Sequence, residues 1–210
     1  MKQNYGKLVA GLLAAWFVFA VTASALHLFQ NDAARIGLSV ALAAGIPIVL
    51  FLAWFATSRG FREFAVSLDP RLLTLLHTWR IGGTTFLVLS AYGILPGMFA
   101  QPAGWGDVFI GATAPLVAFY LTTPRHKSAF VAWQVLGMID LVMAVTLGTT
   151  AGLIHPHGVT TAAMTVLPLS IVPTFLVPLL LMVHIVLIAQ ARRWREGVAS
   201  FGSSVLSLTA

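Results

Sequence analysis

Two charged residues of opposite sign, Arg80 and Asp140, stand inside segments that are otherwise long and apolar. An ionised side chain in the hydrocarbon part of a membrane is costly unless it is paired or hydrated, so such residues usually face the interior of a helix bundle or a water-filled cavity. We expect Arg80 and Asp140 to pair or to share a polar cavity, because pairing offsets much of the cost of burial. In the alternative, Arg80 extends to the lipid headgroups and Asp140 is protonated.

Three neutral polar residues lie at comparable positions. His77 is in the apolar segment of Arg80, Gln134 is in that of Asp140, and His184 is in a third apolar segment. The helical rise of about 1.5 Å per residue, counted from the nearest basic residues, places these three and Arg80 at overlapping depths in the inner half of the membrane. Asp140 lies one to two turns deeper. Because carboxyl and imidazole groups inside membranes form proton relays, we predict a substrate or proton site. Asp140 would carry the proton, and Arg80 would bind an anionic group or restrain Asp140.

His77 and His184 also admit a redox interpretation. Facing each other across a cofactor from different helices, they would ligate haem b, which their similar depth permits. A quinone is the other cofactor that such a redox protein would bind. In the simplest interpretation, each histidine only hydrogen-bonds a neighbouring helix.

A second set of histidines falls on the opposite side of the predicted membrane. His27 ends the first apolar segment, and His155 and His157 flank a proline farther along the chain. Together with Asp32 or Asp107, which are predicted on the same side, these imidazoles would bind copper, zinc or iron. The competing interpretation is a pair of solvated loop histidines beside a turn proline.

The elements that must position these residues are membrane-spanning helices. The chain has 210 residues, of which 59% are hydrophobic and 9% are charged, whereas a soluble domain carries about a quarter charged residues. Its apolar runs have the length of about 17–25 residues that crosses a bilayer as a helix. We predict an all-α integral membrane protein, a six-helix transmembrane bundle in one domain, residues 1–195, followed by a mobile tail, residues 196–210. The predicted spans are residues 8–29, 36–57, 70–95, 108–123, 129–149 and 166–190.

Local signals divide these spans. Residues 59–68 predict a short interfacial helix between spans 2 and 3, because Phe61 and Ala65 share an apolar face at helical spacing. Residues 95–107 are dense in glycine and proline and predict an irregular loop. Asp107 would then be the N-cap of span 4.

Three prolines, Pro168, Pro173 and Pro178, lie inside the predicted span 6. An interior proline removes a backbone hydrogen bond, so we expect this helix to be broken or bent. Transporters use broken helices to line substrate sites. A kink that only shapes helix packing is the alternative.

The basic residues set the orientation. Short cytoplasmic loops carry an excess of Lys and Arg. One side of the six predicted spans holds eleven of the 12 such residues, and Arg35 alone lies on the other side. Both termini are therefore predicted in the cytoplasm. The eleven residues are Lys2, Lys7, Arg59, Arg62, Arg71, Arg80, Arg125, Lys127, Arg192, Arg193 and Arg195.

Composition and motifs exclude several classes of function. The net charge of +6 comes from short loops rather than from a basic stripe with interleaved aromatics, which argues against nucleic-acid binding. The lack of cysteine excludes disulfides and thiolate chemistry. There is no phosphate-binding loop, HExxH or GxSxG motif, and the segments outside the spans are too short for a soluble catalytic domain. We therefore do not expect an enzyme.

A distinctive stretch follows span 3, with the pattern LPxxFAxPAGxGD from Leu95 to Asp107. It resembles a recurring pattern in uncharacterised bacterial integral membrane proteins. The resemblance implies a multi-pass protein of the bacterial inner membrane and no known activity.

Three functions are compatible with these features. The first is a transporter or proton-coupled carrier of a small molecule, which uses the inner polar residues beside a proline-broken helix. The second is a membrane redox protein that binds haem b, a metal or a quinone through histidines. The third is a non-catalytic subunit of a larger membrane complex. The expected partners are the lipid bilayer, a small-molecule ligand and, in the third case, other subunits or copies of the chain.

Overall fold

The chain folds into helices in all the parts that the structure, a computed structural model, describes: residues 5–30, 38–154 and 158–194. Six helical segments are long and apolar enough to cross a membrane. They confirm the predicted helical class and the number of candidate spans. We number them spans 1 to 6: Tyr5–Ala25, Leu38–Thr57, Pro70–Ala91, Gly97–Leu121, Pro124–Ala151 and Val172–Arg193.

The described residues form eight α-helices, of which all but the third contribute to these spans. They are α1 (Tyr5–Ala25), α2 (Leu38–Thr57), α3 (Arg59–Ser67), α4 (Pro70–Leu75), α5 (Thr84–Ala91), α6 (Gly97–Leu116), α7 (Lys127–Ile154) and α8 (Val177–Arg193). A 3-10 segment, Leu76–Gly83, joins α4 to α5 within span 3, and π-helical turns, Val117–Leu121 and Val172–Leu176, follow α6 and precede α8. Short 3-10 turns lie at Pro124–His126 and Ala162–Thr165.

The 3-10 segment of span 3 aligns every third residue on one face. Thr74, His77, Arg80 and Gly83 are all buried, whereas Trp79 between them is exposed. A 3-10 helix has three residues per turn, so residues three apart eclipse each other. In a regular α-helix the same positions would rotate steadily around the axis. The segment therefore turns its two functional candidates, His77 and Arg80, into the bundle together.

The prediction of an irregular loop at residues 95–107 is wrong, because helix α6 begins at Gly97 and continues through Pro102. Ala100, Ala103 and Gly104 are buried in this part of the helix. In membranes, small residues permit close helix approach and neighbouring helices can satisfy the backbone that a proline frees. The glycine, alanine and proline residues thus mark a tightly packed helix rather than a turn. Span 4 consequently begins eleven residues before its predicted start at residue 108.

The backbones of spans 3 and 4 approach each other closely at two glycine residues of α6. A Cβ atom on Gly111 would lie 2.5 Å from the backbone nitrogen of Ile81 and 2.9 Å from the carbonyl carbon of Arg80. A Cβ atom on Gly104 would lie 3.0 Å from the carbonyl oxygen of Gly83. These backbone contacts require glycine on α6, and they hold the 3-10 segment against span 4.

Two buried apolar clusters surround this contact. The first is built on residues of spans 4, 5 and 6, and the second on residues of spans 3 and 4 together with Leu95, between these spans, and Met164. The first includes Ile110, Phe130, Trp133 and Leu187, and the second includes Phe86, Leu95, Phe99 and Ala103.

Span 6 begins at Val172, later than its predicted start at residue 166. The π-helical turn begins at Val172 and contains Pro173, while Pro178 lies in the first turn of α8. Pro168 precedes the helix, in a turn, and so does not interrupt span 6 as expected. The prediction of an irregular helix therefore applies to the Pro173 region alone.

The short helix predicted between spans 2 and 3 is present as α3. Ser58 is its N-cap and accepts a hydrogen bond from the backbone N–H of Phe61 at 3.2 Å. The Phe61 ring stacks on Trp54 of α2, with ring centroids 3.8 Å apart. At the other end, the Gln190 side chain of α8 donates a hydrogen bond to the Leu68 carbonyl at 2.8 Å. These contacts fix α3 against spans 2 and 6.

The glycine contact predicts a position-specific loss of stability. In Gly111→Ala the new methyl group meets the backbone of span 3, so we expect a loss of about 1–3 kcal/mol. Gly45→Ala is the matched control, because a Cβ atom there meets nothing within 4 Å. It should leave stability unchanged or raise it by about 0.5–1 kcal/mol. Thermal unfolding in detergent measures both, and equal midpoints would contradict the close packing of spans 3 and 4.

Candidate functional site

A single buried guanidinium joins four spans. Arg80 donates from Nε to the Asp107 carboxylate at 2.7 Å and from Nη1 to the Gly137 carbonyl oxygen at 3.2 Å. Its Nη1 also donates to Nε2 of His184 at 3.3 Å, and its Nη2 donates to the Asp140 carboxylate. The Arg80 side chain is 2% exposed. The predicted pair with Asp140 is thus present, and a second carboxylate binds the same arginine.

The hydrogen bonds fix the tautomer of His184. Arginine can only donate, so Nε2 of His184 accepts from Arg80 and carries no proton. The other ring nitrogen, Nδ1, lies 2.5 Å from Oε1 of Gln134 and donates to it. His184 is therefore a neutral imidazole, held between Arg80 and Gln134 in one orientation.

His77 completes the cluster through contacts of its ring. Its ring stacks on that of His184, with centroids 3.9 Å apart, and meets the Trp133 ring edge to face at 5.7 Å. His77 is fully buried, yet neither ring nitrogen has a partner among the described residues. Nε2 of Gln134 and Oδ1 of Asp140 are unpartnered in the same way. Because buried polar groups are nearly always satisfied, these atoms are places where a small polar ligand or water would bind.

Glycine residues make room for the charged groups. A side chain on Gly106 would occupy the position of Asp140 Oδ1, and one on Gly83 would collide with Asp107. A Cβ atom on Gly137 would lie 2.5 Å from the His184 ring. These glycines on spans 3, 4 and 5 let the carboxylates and the imidazole approach Arg80.

The cluster holds one more acid than base. Arg80 contributes one positive charge, Asp107 and Asp140 contribute two negative charges when ionised, and His184 is neutral. The net charge is then −1, and one bound proton brings it to zero. Since a net charge is costly in a membrane interior, the second carboxylate adds a cost that a single ion pair would not have.

The five inner residues predicted from the sequence all meet in this one cluster: His77, Arg80, Gln134, Asp140 and His184. Asp107 was predicted as an outer helix cap and is instead a partner of Arg80 in the middle of α6. The spacing of Ala100, Ala103, Gly104, Asp107, Gly111 and Ala114 would have revealed this, because it forms one small-residue face of a helix with Asp107 at its centre.

The two inner histidines are not placed as axial haem ligands. Such ligands approach the iron from opposite faces of a porphyrin through one ring nitrogen each. Here both nitrogens of His184 are hydrogen-bonded, and its ring lies face to face with that of His77. This stack leaves no slot for a planar macrocycle between the rings.

The predicted outer metal site lies only partly within the described residues and stays a prediction. His27 is exposed, with a left-handed backbone (φ 58°) in the turn after α1. His155 and His157 lie outside the described residues. Among the residues that the structure describes, no three His, Asp or Glu side chains form a group that could hold a metal ion.

Comparison with known proteins assigns the chain to a family. A family model described as Domain of unknown function (DUF8737) matches residues 35–192, which include spans 2 to 5, all but the last residue of span 6 and the whole Arg80 cluster. The chain belongs to this family. No curated protein and no solved structure matches it.

The charge balance of the cluster predicts unequal effects of its variants on stability. Arg80→Gln leaves two buried carboxylates without a counter-charge and should cost about 3–5 kcal/mol. Asp107→Asn leaves a neutral pair of Arg80 and Asp140, so its loss should be clearly smaller. Arg71→Gln, on an exposed side chain, is the control and should change stability by less than about 0.5 kcal/mol. Chemical unfolding in micelles compares the stabilities of the three variants. Equal losses of stability for Arg80→Gln and Asp107→Asn would contradict the view that the cluster holds one carboxylate more than Arg80 neutralises.

Proposed function

We propose that this member of the DUF8737 family is a small proton-coupled membrane carrier and that the Arg80 cluster binds the coupling proton. The observation that carries the proposal is the buried guanidinium of Arg80 held by two carboxylates, Asp107 and Asp140. An intramembrane cluster that changes between charges of −1 and zero with one proton is suited to proton coupling.

Asp140 is the group that we assign to the coupling proton. Its Oδ2 accepts from Arg80, while its buried Oδ1 has no partner among the described residues. A proton on Oδ1 would remove the charge of Asp140 and weaken its bond to Arg80, since charge-assisted hydrogen bonds are about twice as strong as neutral ones. Protonation would therefore loosen a contact between spans 3 and 5, which is the kind of change that alternating access requires.

Irregular segments in the spans that build the cluster support a carrier. The 3-10 segment Leu76–Gly83 contains Arg80, and π-helical turns lie in spans 4 and 6. Transporters use such interruptions near their binding sites, where a freed backbone lines the site and adjacent helices move relative to one another.

The proposal includes an orientation and a location in the membrane. The excess of basic residues on one side favours cytoplasmic termini, and we assign the protein to the bacterial inner membrane on the resemblance of residues 95–107. Helix α3 then lies at the cytoplasmic headgroups, with Phe61 and Ala65 packed inward and Arg59 exposed.

Proton binding is tested by infrared difference spectroscopy on the purified protein. Acidification should produce the carbonyl band of a protonated buried carboxyl group, and Asp140→Asn should remove or shift it because that variant lacks the titrating group. Asp69→Asn is the matched control: Asp69 is exposed at the N-cap of α4, and asparagine caps equally well. If neither Asp140→Asn nor Asp107→Asn alters the spectrum, the cluster does not bind the proton and the proposal fails.

Orientation can be tested directly because the chain has no cysteine. We expect His126→Cys, in the basic turn before α7, to react with a membrane-impermeant maleimide only after cells are opened. Gln30→Cys, after α1, should react on intact cells. Both native residues are exposed in the structure. The reverse pattern, or labelling of both residues on intact cells, would contradict cytoplasmic termini.

A further inference from the structure

We infer that the solute accompanying the proton is a small monocarboxylate, which binds Arg80 in place of the Asp140 carboxylate. The inference rests on the proposed carrier function and adds a substrate class to it. It follows from the donors that Arg80 presents, from the close packing around Asp140 and from the charge of the cluster.

Arg80 offers a carboxylate-binding edge that is shared between two residues. Nε and Nη2 point along the same edge of a guanidinium, where one carboxylate can accept two parallel hydrogen bonds. In this protein Asp107 occupies Nε and Asp140 occupies Nη2. Nη1 donates to Gly137 and His184, which uses both of its N–H groups. One N–H of Nη2 is thus left over from the five of Arg80.

Asp140 is the carboxylate that a solute would replace. Among the described residues it binds only the terminal Nη2, and its Oδ1 has no partner there. Asp107 binds Nε, the least mobile donor of the side chain, at 2.7 Å. When Asp140 takes up a proton, Nη2 has lost its anionic partner and retains two N–H donors. A solute carboxylate accepts a hydrogen bond from the Nη2 N–H group that Asp140 leaves, and it restores a counter-charge to the guanidinium.

The surroundings limit the solute to a small molecule. Gly106 and Gly137 provide the space that Asp140 and His184 occupy, and a single Cβ atom at either glycine would collide with these groups. The unpartnered nitrogens of His77 and Gln134 belong to side chains that contact His184, so the ligand would meet polar groups beyond Arg80 as well. These features fit a carboxylate with a short polar substituent.

Charge conservation couples one proton to one solute. The proton removes one negative charge from Asp140, and the bound monocarboxylate returns one negative charge to Arg80. The charge of the cluster is therefore the same before and after exchange, whatever its value at rest. Binding of the anion alone would add a further negative charge to the cluster, and burial penalises added charge, so the solute binds together with a proton. Transport should be electroneutral and driven by the pH gradient.

The test is uptake of radiolabelled lactate into proteoliposomes of the full chain, with protein-free liposomes as the background. An acidic exterior should raise uptake by several-fold over equal pH, and a potassium diffusion potential of either sign should not change it. Asp140→Asn should abolish the response to pH. Arg80→Lys, which keeps the charge and loses the planar pair of donors, should reduce uptake by about tenfold or more.

Matched controls and a second readout distinguish a failure of the monocarboxylate inference from a failure of the proposed function. Asp69→Asn and Arg71→Lys change exposed residues in the same way and should transport as the wild type does. If Arg80→Lys fails to fold, Asp140→Asn decides the outcome. The wild type could take up lactate no faster than protein-free liposomes and still show the infrared carboxyl signal. That result would overturn the inferred monocarboxylate and leave the proton site intact. Loss of both signals would overturn the proposed function itself, and uptake driven by membrane potential would overturn the exchange of one proton for one anion.

Discussion

The guanidinium of Arg80 cannot lie in an apolar bundle unless its donors meet acceptors, and this requirement organises most of the fold. Its acceptors come from Asp107 in span 4, Gly137 and Asp140 in span 5 and His184 in span 6. One side chain of span 3 thus fixes the rotation of three neighbouring spans about their axes. Spans 1 and 2 contribute no contact to Arg80 among those described. They join the bundle through other contacts, such as the hydrogen bond between Ser24 and Ser170 and the stack of Trp54 on Phe61.

Backbone irregularity and glycine packing are what make that arrangement possible. The 3-10 segment directs His77 and Arg80 to the same side, and Gly111 lets α6 touch the backbone of that segment. Gly83 faces Asp107 across this contact, where a Cβ atom would collide with the Asp107 side chain, and Asp107 binds Nε of Arg80 at 2.7 Å. The local geometry of spans 3 and 4 therefore serves one electrostatic contact, which explains why a stretch so rich in glycine and proline remains helical.

Hydropathy and charge predicted the number of helical spans and the pairing of Arg80 with Asp140, because both follow from the cost of exposing polar groups to lipid. The role of Asp107 could not be found in this way. Glycine and proline near it were interpreted by the rules of soluble turns, whereas in a bundle they mark close contact. The stacking of His77 on His184 was also beyond prediction. It depends on the rotation of each span, and spans that are apolar on all sides carry no amphipathic signal to set it.

The second carboxylate is the strongest reason to regard the cluster as more than a structural ion pair. One carboxylate would neutralise Arg80, and carbonyl or imidazole groups such as those of Gly137 and His184 would satisfy the remaining donors. Adding Asp107 to Asp140 leaves a negative charge that must be neutralised again, so for stability alone the second acid is a cost. A bundle that only needed to hold together would do as well with asparagine at one of the two positions. On the proposed function the excess acid has a use, because a proton can enter and leave Asp140 while Asp107 stays paired with Arg80.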